Sequence, residues 1–112
     1  MPFEHDREFY RLVYPLQAAP QFISASAQYR VVDIGEGGFR YAVGEGEGAV
    51  PFDGDEVSGT IIFAEEDPLE VHGVVVRYRD GEVAVHCQRQ RIPLAIVLRE
   101  QRRVRIHFPF RA

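Results

Sequence analysis

The chain has 112 residues and a formal net charge of −4, with 46% hydrophobic and 27% charged residues. That is the length and composition of one globular domain with a core of its own. The acidic balance argues against general binding to DNA or RNA, which uses a basic excess or a basic face. All 13 basic residues are arginine, a bias that genome composition alone can produce. A single cysteine, Cys87, excludes an intrachain disulfide and a cysteine-rich zinc site. No apolar run approaches the roughly 18 residues of a membrane span, and the start lacks a signal-peptide core. A soluble cytoplasmic protein is the expectation.

Residues 1–10 mix charges and aromatics without an apolar period, which predicts an irregular N-terminal arm, with the domain proper running from residue 11 to residue 112. Leu12–Leu16 reads as an edge strand or strand end because it contains Pro15. A second extended piece follows at Phe22–Ser24. Ala27–Ile34, with Tyr29, Val31 and Val32, has the β-branched and aromatic bias of a strand. Gly35–Gly38 predicts a turn, and Phe39, Tyr41 and Val43 a short strand. From Gly44 to Gly54, alternating glycine and glutamate followed by Pro51 and Asp53 predict a long exposed connection. Val57–Ala64, Leu69–Tyr78 and Val83–Cys87 read as strands, the last two joined through Asp80-Gly81, a strong hairpin signal.

Only the final segment has helical spacing. Pro93 suits a first helical turn, and Leu94, Val97, Leu98, Gln101, Val104 and Phe108 recur on one face. Arg99, Arg102, Arg103 and Arg105 fall largely between them, near the C-terminal end where cations are favoured; this arginine face reads as solvated and paired with nearby acids. Pro109 ends the helix. Six or seven short strands and one C-terminal helix predict a mainly β domain, a small antiparallel barrel or sandwich capped by the helix.

Two runs carry the chemistry. Arg7 and Arg11 stand four apart beside Phe9 and Tyr10, and guanidinium forks bind phosphate or the O6/N7 edge of guanine bidentately and stack on bases. The same spacing also fits a solvated arm paired with Glu4, Asp6 or Glu8. Asp33 ends a strand, and Gly35, Gly37 and Gly38 let a backbone turn come close to a ligand. A carboxylate there could accept from the N1 and N2 donors of guanine, although Asp and Gly are also ordinary turn residues. His5, His72, His86 and His107 have no ligand-like spacing, and Ser24, Ser26 and Ser58 have no nucleophile context. Glu65-Glu66-Asp67-Pro68 reads as a solvated turn.

In combination the two runs are more specific. An arm with R-x-x-x-R (Arg7, Arg11), a strand, and then D-x-G-x-x-G (Asp33 to Gly38) resembles the PilZ domain family, whose paired signatures are R-x-x-x-R and [D/N]-x-S-x-x-G. Gly73-Val74-Val75-Val76-Arg77 resembles that family's G-x-V-V-x strand, and the segment from Ile92 to Phe108 its C-terminal helix. The resemblance implies a six-stranded antiparallel β-barrel with a C-terminal helix. It also implies a non-enzymatic receptor for the bacterial second messenger cyclic di-GMP, with no other cofactor. Arg7 and Arg11 would grip phosphate and the guanine Hoogsteen edge, Asp33, Gly35 and Gly38 would hold a guanine from the barrel side, and Arg77 would contact or stack on a base. A downstream protein of flagellar, pilus or exopolysaccharide machinery would be the partner. One departure is the family serine, here Gly35. A relative that does not bind the nucleotide and acts as a protein–protein adaptor, for instance in type IV pilus assembly, is the alternative; retention of Arg7 and Arg11 counts against it and loss of the serine for it.

Overall fold

The computed structural model describes residues 11–25, 27–44 and 51–109. Seven strands run β1 (Arg11–Val13), β2 (Gln21–Ser24), β3 (Ala27–Gly35), β4 (Gly38–Ala42), β5 (Glu56–Ile62), β6 (Leu69–Arg79) and β7 (Glu82–His86), followed by helix α1 (Leu94–His107). They hydrogen-bond in the order β1-β3-β2-β5-β6-β7-β4, and β4 pairs back onto β3. Every pairing is antiparallel. Strands β2 to β7 therefore close into a six-stranded antiparallel barrel, as expected for the fold, and β1 is an additional strand beside it.

The closure works because β3 is long. Its first half pairs with β2 (Ala27–Arg30) and its second half with β1 (Asp33–Gly35), while its other edge carries β4. Inward positions alternate with outward ones, as a pleated strand requires. Val71, Gly73 and Val75 of β6 are buried between exposed Glu70, His72 and Val76, and Val83 and Val85 of β7 face the same core. Phe22, Phe39, Tyr41 and Tyr29 pack as an aromatic cluster, with the Phe22 and Phe39 rings edge-to-face at 4.9 Å and Tyr29 and Tyr41 also at 4.9 Å. Such pairs add to the burial of the rings themselves.

The hairpin at Asp80-Gly81 forms as expected: both residues have positive φ, 54° and 78°, the combination that a two-residue turn matching strand twist demands. The predicted edge strand Leu12–Leu16 is shorter than the sequence suggests. It stops at Val13, and Leu16–Ala18 forms a 3₁₀ turn whose Ala18 N–H donates to the Pro15 carbonyl at 3.0 Å. Pro15 has no N–H for the β1–β3 ladder and its fixed φ opens the turn instead. The predicted arm, residues 1–10, and most of the glycine–glutamate connection, residues 45–50, lie outside the described residues.

Helix α1 packs on β1 and β3, but its buried face differs from the apolar stripe. Val97 and Val104 face inward with Glu100 and Arg103, whereas Leu94 and Leu98 are exposed. The face turns because the buried charges are fully satisfied. Tyr14 Oη donates to Glu100 Oε1 at 2.7 Å, Arg103 Nε donates to Glu100 Oε2 at 2.9 Å, and Arg103 Nη2 donates to the Ala18 carbonyl at 2.9 Å. A buried ion pair with its remaining hydrogen bonds made is tolerated; one missing a partner is not. On the outer side, Arg99 forms a two-point contact with Glu66 at 2.8 Å, as expected of a solvated, acid-paired arginine, whereas Arg103 departs from that expectation and is buried by its bonds to Glu100 and the Ala18 carbonyl. Among the described residues no helix is long and apolar enough to cross a membrane.

Two outcomes follow from this packing. A methyl group on Gly73 would stand 2.3 Å from the His86 carbonyl oxygen, so Gly73→Ala must part β6 from β7 and lowers the unfolding free energy by about 1–3 kcal/mol in urea titration. Burial raises the Cys87 thiol from 9.0 to about 11, against a smaller opposing effect of a hydrogen bond with the His72 backbone. The folded-state value lies above the unfolded one, so this contribution is complete below pH 9 and is lost as pH climbs to 11. Unfolding free energy should drop by about 1.4 kcal/mol between pH 8 and pH 10 from this group alone, and Cys87→Ala should remove that part of the decline.

Candidate functional site

The outer face of β1, β3, β4, β7 and β6 forms a cleft of about 380 Å³. Its lining includes Arg11, Gly35, Gly37, Gly38, Arg40, Val76, Arg77, Ala84 and His86. The volume is at the lower end of the roughly 300–1,000 Å³ typical of ligand pockets. Small residues make the floor and guanidiniums stand around it. A second depression of about 320 Å³ adjoins the first and shares Arg40, Arg77 and Ala84 with it, adding Arg79 and the acids Asp80 and Glu82.

Each feature of the lining has a local cause. Glu36 and Gly37 form a two-residue turn between β3 and β4, so that Gly35 faces Gly38, Ile34 faces Phe39 and Asp33 faces Arg40. The turn is pinned from behind: the Gly37 carbonyl accepts from the Cys87 N–H at 2.8 Å and the Glu36 carbonyl from the Ile92 N–H at 3.1 Å. Gly38 is demanded by packing, since a Cβ there would lie 1.9 Å from the Val85 carbonyl oxygen. A register shift between Val75 and Arg77 leaves Val76 in a bulge, which aims two successive side chains, Val76 and Arg77, at the cleft. Bulges re-aim side chains in this way.

At the back of the cleft lies Asp33, whose side chain is fully buried. Arg11 Nη1 donates to its Oδ1 at 2.6 Å, and Arg40 donates to its Oδ2 through Nε at 2.7 Å and through Nη2. Arg40 Nη1 also donates to Glu82 Oε1 at 3.2 Å. The hydrogen bond to Asp33 raises the Arg40 guanidinium further above its already high range. The two arginines remain accessible, with side-chain exposures of 50% for Arg11 and 39% for Arg40. Arg77 makes no ion pair with a described residue. An acidic chain thus brings three guanidiniums, Arg11, Arg40 and Arg77, to one wall, with Asp33 and Glu82 paired to two of them.

Four of the six residues singled out in the sequence, Arg11, Gly35, Gly38 and Arg77, line this one cleft. Asp33 is next to it, with both carboxylate oxygens engaged by Arg11 and Arg40. Arg7 lies outside the described residues. Sequence reasoning missed Arg40, Ala84 and His86. Arg40 had a legible signal: a two-residue turn at Glu36-Gly37 places residue 40 directly across from residue 33, and a cross-strand carboxylate–guanidinium pair is a favoured arrangement. Among the described residues no group of three or more His, Cys, Asp or Glu side chains is placed to hold a metal ion.

No protein-family model matches this sequence, and no curated protein matches it.

Because Asp33 is buried, loss of either guanidinium leaves carboxylate charge under-compensated. Arg40 supplies two of the three hydrogen bonds, so Arg40→Ala should destabilise the domain by about 1.5–3 kcal/mol and Arg11→Ala by less. Urea unfolding of the two single variants, side by side, checks the order.

Proposed function

We propose that this chain is a PilZ-type receptor for cyclic di-GMP, a non-enzymatic module whose N-terminal arm closes over the bound dinucleotide and signals to a partner protein. The observation that carries the reading is the convergence of Arg11, Arg40 and Arg77 around a floor of Gly35, Gly37, Gly38 and Ala84. A cyclic dinucleotide presents two phosphodiesters and two planar bases. Guanidiniums serve both: they fork onto phosphate oxygens and the guanine Hoogsteen edge, and they stack on base faces. A floor with little side-chain bulk admits a flat base close to the backbone.

In this reading Arg11 and, from the arm, Arg7 grip phosphate and the guanine edge, while Arg77 and Val76 supply a surface for a base. The hydroxyl missing at Gly35 lowers affinity without abolishing it. A neutral hydrogen bond contributes about 0.5–1.5 kcal/mol net, whereas each bidentate arginine–guanine contact is worth about 1–3 kcal/mol. The two arginines outweigh the one hydroxyl.

A second reading, an adaptor of the same fold that works without nucleotide, draws support from the outer face of α1. Leu94, Leu98 and Ile106 are exposed there, and apolar residues on an outward helix face suit contact with another protein. Under the receptor reading the partner belongs to flagellar, pilus or exopolysaccharide machinery, and under the adaptor reading to type IV pilus or motility machinery.

Isothermal titration separates the two. Wild type should bind cyclic di-GMP with measurable heat at micromolar concentrations, and Arg7→Ala and Arg11→Ala should each weaken binding by about tenfold or more. Absence of heat with wild type at high micromolar ligand, together with a pulldown recovering the same partners with and without nucleotide, would favour the adaptor.

A further inference from the structure

The burial of Asp33 bears on how such a ligand is held. Its side chain is inaccessible, it is not part of the cleft lining, and both carboxylate oxygens already accept from guanidiniums. To accept from the N1 and N2 donors of a guanine it would have to surrender charge-assisted hydrogen bonds inside a buried site, where such bonds are strongest. Arg40 is in the opposite situation. Three of its N–H groups are committed, two to Asp33 and one to Glu82, and a guanidinium carries five. Two remain, on a side chain that is 39% exposed and lines the cleft and the adjoining depression.

Resting on the receptor reading above, we propose that Arg40 is a ligand-contacting residue, the fixed cation for a phosphodiester oxygen, and that Asp33 is the positioning residue that aims Arg40 and Arg11 rather than a reader of guanine. Arg40 is held at three points before any ligand arrives, so little side-chain freedom is lost when an anion reaches it. Arg11 is held through a single nitrogen and is half exposed, which leaves its other N–H groups for a base edge or a second phosphate oxygen while Nη1 stays on Asp33. The pair divides the work: one guanidinium is preorganised and one adapts. Discrimination between bases would then run through groups other than Asp33.

Two ligands and three proteins test this. Cyclic di-GMP and its analogue with inosine in place of guanosine, which lacks the 2-amino donors, are titrated into wild type, Asp33→Asn and Arg40→Gln. Thermal melts verify that each variant is folded. No binding of cyclic di-GMP to wild type would overturn the receptor reading itself. If wild type binds, Asp33→Asn is expected to weaken both nucleotides by a similar factor, keeping the wild-type ratio of affinities. A ratio that collapses toward one in Asp33→Asn shows direct reading of guanine by this carboxylate and overturns the positioning role. Arg40→Gln is expected to weaken both nucleotides about tenfold, and wild-type affinity in that variant overturns the contact. Should Asp33→Asn fail to fold, phosphorus NMR of cyclic di-GMP bound to Arg40→Gln decides. A shifted phosphate resonance relative to the wild-type complex supports the phosphodiester contact, and an unchanged one overturns it.

Discussion

The structure depends on one strand serving three neighbours. β3 takes β2 along its first half, β1 along its second and β4 along its other edge, so it is both the seam that closes the barrel and the support for the cleft. Closure removes the open edges that antiparallel sheets otherwise expose. It also brings β4 against β7 tightly enough that Gly38 has no room for a side chain. The close approach that builds the barrel and the bareness of the cleft floor at this point therefore rest on the same residue.

Much of the fold was legible because the strands carry strong local signals. Tyr29, Val31 and Val32 in β3 and the Asp80-Gly81 turn between β6 and β7 each specify their element without help from the rest of the chain. Pro15 is compatible with a strand end by sequence, and in the structure it opens a 3₁₀ turn, because the effect of a missing N–H depends on which neighbour would have accepted from it. The face of α1 was misjudged for a related reason. Periodicity puts Leu94 and Leu98 inward, but Tyr14 and the Ala18 carbonyl lie under the helix and reward burial of Glu100 and Arg103. Nothing in the helical segment itself reports that a tyrosine 86 positions earlier in the chain awaits a carboxylate.

The cleft was partly legible for the same kind of reason. Arg11, Gly35 and Gly38 belong to short-range motifs and could be picked out one at a time. Arg77 needed the strand it sits on, and its aim depends on the bulge at Val76, which no composition reveals. Arg40 sits in an unremarkable run, Phe39-Arg40-Tyr41, and acquires meaning only through its register with Asp33. Local sequence thus gives residue types near the site, whereas pairing register gives their roles.

The three residues of β1 stand between two buried carboxylates. Arg11 at its start faces the cleft and holds Asp33, while Tyr14, just past its end, hydrogen-bonds Glu100 beneath α1. The backbone ties β1 to β3 over a short stretch, closed by the Tyr14 N–H donating to the Val32 carbonyl at 3.0 Å. A segment that short would ordinarily fray, since few backbone bonds hold it. Here fraying would strip a partner from two buried carboxylates at once, one on each side of the strand. β1 acts as a rivet through two layers, since opening it costs a partner to each of two buried carboxylates as well as its own few backbone bonds.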